Sequence, residues 1–170
     1  MKKLFLVLAL AFAGIFTANA QVWIGGSANA LVNKETINFS VAPEIGYCIP
    51  NTKWTIAAGA NYGFQDVKIA DGIHSTAHSL ILSPYVRYTL CSIEKFIMAL
   101  DLTGDFDVMS EDFGYRVGLQ PCIAWMATEH WTAAFRFAFI GYNHCGYYGD
   151  EGFHLDFATA APGFGLYYNF

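Results

Sequence analysis

The chain has 170 residues, of which 55% are hydrophobic, 17% aromatic and only 14% charged, with a formal net charge of −5. A soluble domain usually carries about 25% charged residues, so this composition argues against an ordinary water-exposed surface, and the high hydrophobic content excludes a disordered chain. No window of about 18 consecutive apolar residues occurs, which excludes a bundle of membrane-spanning helices. The length suits one domain.

The first 20 residues have the pattern of a secretory signal peptide. Lys2 and Lys3 form a positive start, the segment 4–16 is an apolar core too short to span a bilayer, and Ala18-Asn19-Ala20 is an A-x-A cleavage sequence. We therefore predict a signal peptide over 1–20 and a mature domain over 21–170. Without the two lysines, seven basic residues face 14 acidic ones, and a basic patch for nucleic acid is absent.

From Gln21 onward the dominant pattern is the alternation of a β-strand. Phe113, Val117 and Trp125, for example, share one face of a segment whose other face carries Gly114 and Arg116. No stretch shows a helical period. Alternation predicts eight strands, over 21–32, 37–49, 53–64, 78–90, 96–103, 113–125, 130–142 and 153–170.

The predicted connections alternate in length. Short ones fall at 50–52, 91–95 and 127–130, whereas longer, polar ones fall at 65–77, 104–112 and 143–152; the short link 33–36 is the exception. Eight antiparallel strands with short turns at one end and longer loops at the other are typical of an all-β, up-and-down transmembrane barrel. The sequence therefore predicts an eight-stranded antiparallel transmembrane β-barrel.

Two features favour an outward-facing apolar row. The opposite row consists mainly of Gly, Ala, Ser and Thr, with too few charges for a water-exposed surface. Aromatic residues gather at the short-turn end of the apolar row, as they do at the headgroup level of membrane proteins. This predicted aromatic girdle comprises Tyr47, Trp54, Tyr88, Phe96, Trp125, Trp131, Tyr168 and Phe170. The alternative is a secreted soluble barrel or sandwich with the apolar row inside.

A small group of charges falls on the predicted inward row. It comprises Glu44, Arg87, Asp101, Arg116 and Arg136. An unpaired charge in a narrow interior is costly, so we expect at least one of the two carboxylates to pair with an arginine, and one arginine to reach water or a carbonyl. The structural interpretation is a packed plug; the functional alternative is a narrow polar path. An eight-stranded barrel leaves little free bore, which favours the plug.

Four prolines recur at intervals of one hairpin. Pro43, Pro84, Pro121 and Pro162 all fall on even-numbered strands, on the apolar row. Proline cannot donate to a ladder, so each one either leaves a neighbouring carbonyl without a partner or marks a bulge.

The segment from Gln21 to Phe170 resembles the small outer-membrane β-barrel family of the OmpA/OmpX type. Its C-terminus is similar to that family's insertion signal, with Gly165, Tyr168 and Phe170 at the matching positions; Gly163 stands where a polar residue is common. The resemblance implies an outer-membrane protein of a Gram-negative-type cell envelope, inserted as a monomer by the barrel assembly machinery and in contact with outer-membrane lipids, including lipopolysaccharide. It implies a structural or surface-interaction role without catalysis or cofactor.

Alternative functions rest on polar residues at the long-loop end. One alternative is a narrow pore for small solutes. A second alternative is a lipid A-modifying enzyme, because small barrels that acylate or deacylate lipid A carry His, Ser and acidic residues near the outer rim. The residues considered are His74, His78, Ser75, Ser79 and Asp71. No spacing among them selects a catalytic triad.

Metal binding was also considered at this end. His144, Cys145, Asp150, Glu151 and His154 could ligate a metal, although their spacing matches no strong zinc motif. Nine acidic residues against two lysines, Lys34 and Lys68, could alternatively hold divalent cations against lipid phosphates or attract a basic partner. The nine are Glu35, Asp66, Asp71, Asp105, Asp107, Glu111, Asp112, Asp150 and Glu151.

The four cysteines predict no structural disulfide. Cys48 and Cys91 end strands two apart, about 10 Å across a sheet, which is beyond bridging range. Cys145 falls at the opposite end of the predicted barrel.

Overall fold

The structure, a computed structural model, describes residues 21–32, 36–70, 73–109, 113–144, 151–156 and 163–170. The predicted signal peptide lies outside these ranges. The described residues form ten β-segments: β1 (Gln21–Val32), β2 (Thr36–Cys48), β3 (Trp54–Ala70), β4 (Ile73–Ile93), β5 (Phe96–Asp107), β6 (Tyr115–Met126), β7 (Trp131–Arg136), β8 (Phe139–His144), β9 (Gly152–Asp156) and β10 (Gly163–Asn169).

These segments form one closed antiparallel barrel. Each of β1 to β6 pairs with the next, and the first strand returns to the last through β1 and β10. β7 and β8 both pair with β6 and form two halves of the seventh strand, while β9 and β10 pair with these halves as the eighth. The predicted eight-stranded antiparallel barrel is confirmed.

No helix within the described ranges is long and apolar enough to cross a membrane.

The apolar row of each strand faces outward and the small and polar row faces the lumen. On β5, for example, Met98 and Leu102 are exposed, whereas Ala99, Asp101 and Thr103 are buried. Because the side chains of a strand alternate between its two faces, this division runs the length of the barrel. The buried core is therefore the filled lumen.

The short-turn end of the lumen is packed with aromatic rings. Trp23 meets Tyr167 edge to face, with ring centroids 5.0 Å apart. The indole of Trp23 lies over Gly46, where a Cβ would overlap its ring atoms. Gly25 and Gly165 leave similar room for Tyr167. Small residues on the inward row thus make space for two large side chains.

Two predicted loops are wrong in extent. The segment 65–77 is mostly strand, because β3 runs to Ala70 and pairs with β4 from Ile73 onward. The segment 104–112 begins as strand, because β5 runs to Asp107. The strands were predicted to end where polar residues begin on the outer face. A strand that continues beyond an apolar belt can, however, carry polar residues on that face.

The seventh strand is interrupted, and this reverses the predicted orientation of Phe139. The strand stops at Arg136 and resumes at Phe139, so that Phe139 is only 2% exposed and faces the lumen. Alternation had placed it on the outer row with Trp131. Between the pairs Leu119–Ile140 and Cys122–Arg136, the seventh strand has three residues opposite two on β6. This one extra residue shifts the phase of everything that follows.

The prolines account for local gaps in the ladder. Pairing of β2 with β3 skips from Val41 to Glu44, and pairing of β4 with β5 skips from Leu82 to Tyr85, in each case across a proline and without a change of register. Pro121 lies opposite the break in the seventh strand. Pro43 and Pro84 therefore leave unpaired positions, whereas Pro121 accompanies a bulge; Pro162 lies outside the described residues.

Candidate functional site in the lumen and on the outer belt

A network of charged and phenolic groups crosses the middle of the lumen. Arg136 donates from Nη1 and Nη2 to the two carboxylate oxygens of Glu44, at 2.9 and 2.8 Å. Its Nε donates to Asp101 at 3.2 Å. Glu44 and Arg136 come from β2 and β7, on different sides of the barrel. The pair thus bridges the lumen.

The second half of the network is centred on Asp101. Arg87 donates from Nε and Nη2 to its two oxygens, at 2.6 and 2.8 Å. Tyr85 donates to Glu44 at 2.8 Å and accepts from Arg136 at 2.9 Å. Both carboxylates therefore accept several hydrogen bonds from cationic or phenolic donors, which is the arrangement that makes a buried charge tolerable.

Arg116 lies apart from this network. It donates from Nε to Asp105 at 2.6 Å, and its guanidinium lies 4.6 Å from the ring centroid of Phe139. The sequence counted two carboxylates for three arginines and expected one arginine to reach water or a carbonyl; Asp105 is a third carboxylate and pairs with Arg116. Asp105 belongs to β5 and is buried, although the sequence assigned it to a loop. Each of the three arginines pairs with a carboxylate.

Side chains fill the lumen of the described barrel. Ion pairs, Tyr85 and the Trp23–Tyr167 contact fill successive levels of the lumen. Among the described residues, no group of three or more His, Cys, Asp or Glu side chains is arranged to hold a metal ion. Cys48, Cys91 and Cys122 are free thiols, and Cys145 lies outside the described residues.

The residues of the predicted girdle lie at the short-turn end, on the outer face. Trp54, Phe96, Trp125, Trp131 and Phe170 are exposed. Tyr47, Tyr88 and Tyr168 are half-buried. Trp54 packs on Tyr88 and Trp131 packs on Tyr168, with ring centroids 4.7 and 5.2 Å apart. The rings therefore pack across neighbouring strands at two places on the circumference, β3 with β4 and β7 with β10.

A second belt at the long-loop end was missed in the sequence. Phe106 stacks on Phe113 at 6.4 Å, and Phe113 contacts Tyr115 at 6.3 Å. Phe64 and Tyr62 contact His78 on the neighbouring hairpin. The sequence did carry a signal for this belt. Tyr115 lies ten residues before Trp125, and Phe64 lies ten residues after Trp54.

The histidines considered for catalysis do not assemble a site in the described residues. His78 shares a hydrogen bond of 2.8 Å with the Tyr62 hydroxyl on the outer face. Ser79 is its direct neighbour in β4 and points to the opposite face, towards Gly63. The side chain of His74 and the whole of Asp71 lie outside the described residues.

A polar cluster lies at the long-loop end of the barrel, beside β8 and β9. Glu151 accepts hydrogen bonds from Tyr142 at 2.8 Å and from His144 at 3.2 Å. The Tyr142 bond, followed by that of His144, lowers the pKa of Glu151 below its usual value. Of the suggested metal ligands, the structure thus brings His144 and Glu151 together, while Cys145 and Asp150 lie outside the described residues.

The C-terminal residues close the barrel. Phe170 donates its backbone N–H to Val22 at 3.0 Å, and Asn169 is bound to His130 of the neighbouring strand by three hydrogen bonds. Tyr168 stacks on His130 at 5.4 Å. The last residues thus join the two ends of the sheet.

No protein-family model matches the chain, and a comparison with curated protein sequences finds no match.

Proposed function

We propose that this protein is an integral outer-membrane β-barrel with a structural or surface-interaction role, a closed lumen and no catalytic activity. It is exported by a cleaved signal peptide over 1–20 and resides in the outer membrane of a Gram-negative-type bacterium. The short turns and both ends of the mature chain face the periplasm, and the long loops face outward. Outer-membrane lipids, including lipopolysaccharide, surround it as a monomer.

The height of the outer apolar belt carries this proposal. On β6, Tyr115 and Trp125 share the outer face, ten residues apart, with exposed Val117, Leu119 and Ile123 between them. At about 3.3 Å per residue and a tilt of about 40°, ten residues rise about 25 Å. This is the height of the apolar band of outer-membrane barrels, which is flanked by aromatic girdles.

The distribution of charge supports the same proposal. Ionic side chains of the barrel wall point inward and are paired there, whereas the outer face between the belts is apolar. A water-soluble barrel would have the opposite arrangement. The ion pairs also favour a structural role over a pore, because they occupy the centre of a lumen too narrow for a free channel.

Planar-bilayer recordings and lipid analysis test the functional part. We expect the purified barrel to show no steady conductance above the bilayer baseline, and its overexpression to leave lipid A unchanged in mass spectrometry. Reproducible channel events would favour the narrow pore. A modified lipid A that disappears with His74→Ala or His78→Ala would favour the enzyme.

A further inference from the structure

Strand β4 extends beyond its neighbour β5 at the long-loop end. It pairs with β3 as far as Ile73, opposite Ala70. On its other side, the last backbone hydrogen bond within the described residues runs from Val108 N–H to Leu80 O, at 2.9 Å. Asp107 N–H then donates to Gly114 O, which turns the chain towards β6. Among the residues that the structure describes, 73–79 of β4 thus form an edge of the sheet.

The direction of the backbone groups follows from this last contact. Leu80 directs its carbonyl towards β5, and the N–H and C=O groups of a strand point alternately to its two sides. His78, Thr76 and His74 therefore direct theirs towards the edge, while the residues between them bond to β3. Within the described part of the chain, no backbone group pairs with these three residues on that side.

The position of this edge relative to the apolar belt is given by the β3–β4 hairpin. Trp54 pairs with Tyr88 at the girdle, and Phe64 pairs with His78 ten residues further on. By the rise of about 25 Å per ten residues used above, His78 marks the outer end of the belt. Thr76 then lies about 5 Å and His74 about 10 Å beyond it. The headgroup layer occupies about 5–7 Å on each side of the hydrocarbon core.

The chemistry of that layer limits what can bind there. Lipid tails cannot satisfy backbone N–H and C=O groups. Phosphate accepts but does not donate hydrogen bonds when fully ionised. Apart from the buried Asp105 and Asp107, this end of the chain carries seven acidic residues against two lysines. A sugar hydroxyl both donates and accepts, as the edge requires. Tyr62 and His78 add exposed ring surface next to the edge.

A second copy in the same membrane does not fit this edge. Two barrels related by a twofold axis along the membrane normal would cross their tilted strands at twice the tilt, about 80°. Paired strands need to be close to parallel or antiparallel. The edge is therefore better suited to lipid headgroups than to its own counterpart.

We propose that the β4 edge formed by Thr76 and His78 binds the saccharide headgroup of an outer-leaflet glycolipid through its backbone N–H and C=O groups. This inference rests on the proposed membrane location, since the depth of the edge is counted from the belt.

The test compares Thr76→Pro with Thr76→Val in the full mature chain, in phosphatidylcholine nanodiscs. Proline removes the central N–H on the edge side and leaves the β3 ladder intact, whereas valine keeps the backbone and the shape of the side chain. The probe is digalactosyl diacylglycerol at a low mole fraction, with phosphatidylglycerol as the charged control. Native mass spectrometry counts the retained lipid, and amide NMR follows residues 76 and 78.

We expect the proline variant to retain about fivefold less galactolipid than the valine variant, the factor that one hydrogen bond is worth. The wild-type amide signals of residues 76 and 78 should shift with galactolipid and not with phosphatidylglycerol. Equal retention by the two variants, or equal shifts with phosphatidylglycerol, would overturn the proposal, as would dimers that depend on Thr76. A wild-type chain that enters no nanodisc would instead reject the proposed function, and the inference with it.

Discussion

Replacement of Asp101 by alanine should destabilise the barrel by about 3–5 kcal/mol, the usual cost of removing one partner of a buried ion pair. Asp101 is 1% exposed and accepts hydrogen bonds from Arg87 and Arg136. Its loss leaves two guanidinium groups facing each other in the lumen with one carboxylate, Glu44, near them. Reversible urea unfolding from lipid bilayers measures the change in free energy.

The matched control is Leu82→Ala on the neighbouring strand. Leu82 is 43% exposed on the outer face, so lipid can fill the space that the side chain leaves. Its effect should be smaller than that of Asp101→Ala. A larger loss of stability in the leucine variant would contradict the assignment of the polar row to the inside, and with it the proposed membrane location.

Deletion of Phe170 should abolish most of the outer-membrane yield and change the stability of the folded barrel little. The side chain is 66% exposed, and the residue adds one backbone hydrogen bond, to Val22, worth about 1 kcal/mol. The resemblance of Gly165, Tyr168 and Phe170 to an insertion signal predicts that the residue acts during assembly. The measurement compares barrel recovered from outer-membrane fractions with urea unfolding of protein refolded in vitro.

Phe164→Ala is the control for this deletion. Phe164 lies on the same strand and is 61% exposed. Its replacement by alanine therefore removes a similar ring from the outer face without changing the C-terminus. We expect its yield to stay close to that of the wild type. Equal yields of the Phe170 deletion and the wild type would refute the role in insertion.

Much of the barrel could be predicted from the sequence, because alternation reports directly which side chains share a face. The ends of strands were harder to predict, since β3 and β4 continue past the belt with polar residues such as Asp66 and Lys68 on the outer face. A two-residue interruption, as at Phe137 and Ala138, carries no clear mark in the sequence beyond a proline on the adjacent strand. It moved Phe139 inside.

The partners within the lumen were predicted only in part. Glu44, Asp101 and the arginines fell on inward positions of recognisable strands, so their meeting could be expected. The particular pairs depend on the register of strands far apart in the chain, as with Arg136 and Glu44. Asp105 was missed as the partner of Arg116, because ending the strand at Thr103 placed it in a loop.

Fractionation of cells that produce the full chain tests the proposed membrane location most directly, with gel electrophoresis of the outer-membrane fraction before and after boiling. We expect the protein in that fraction, with Gln21 as its first residue, and a change of mobility on boiling, because a folded small barrel resists detergent unfolding. Protease added to intact cells should cut only in the connections between β3 and β4, between β5 and β6 or between β8 and β9. A protein found in the soluble fraction with no heat-dependent mobility, or cuts confined to 91–95 in intact cells, would contradict the proposed location or its orientation.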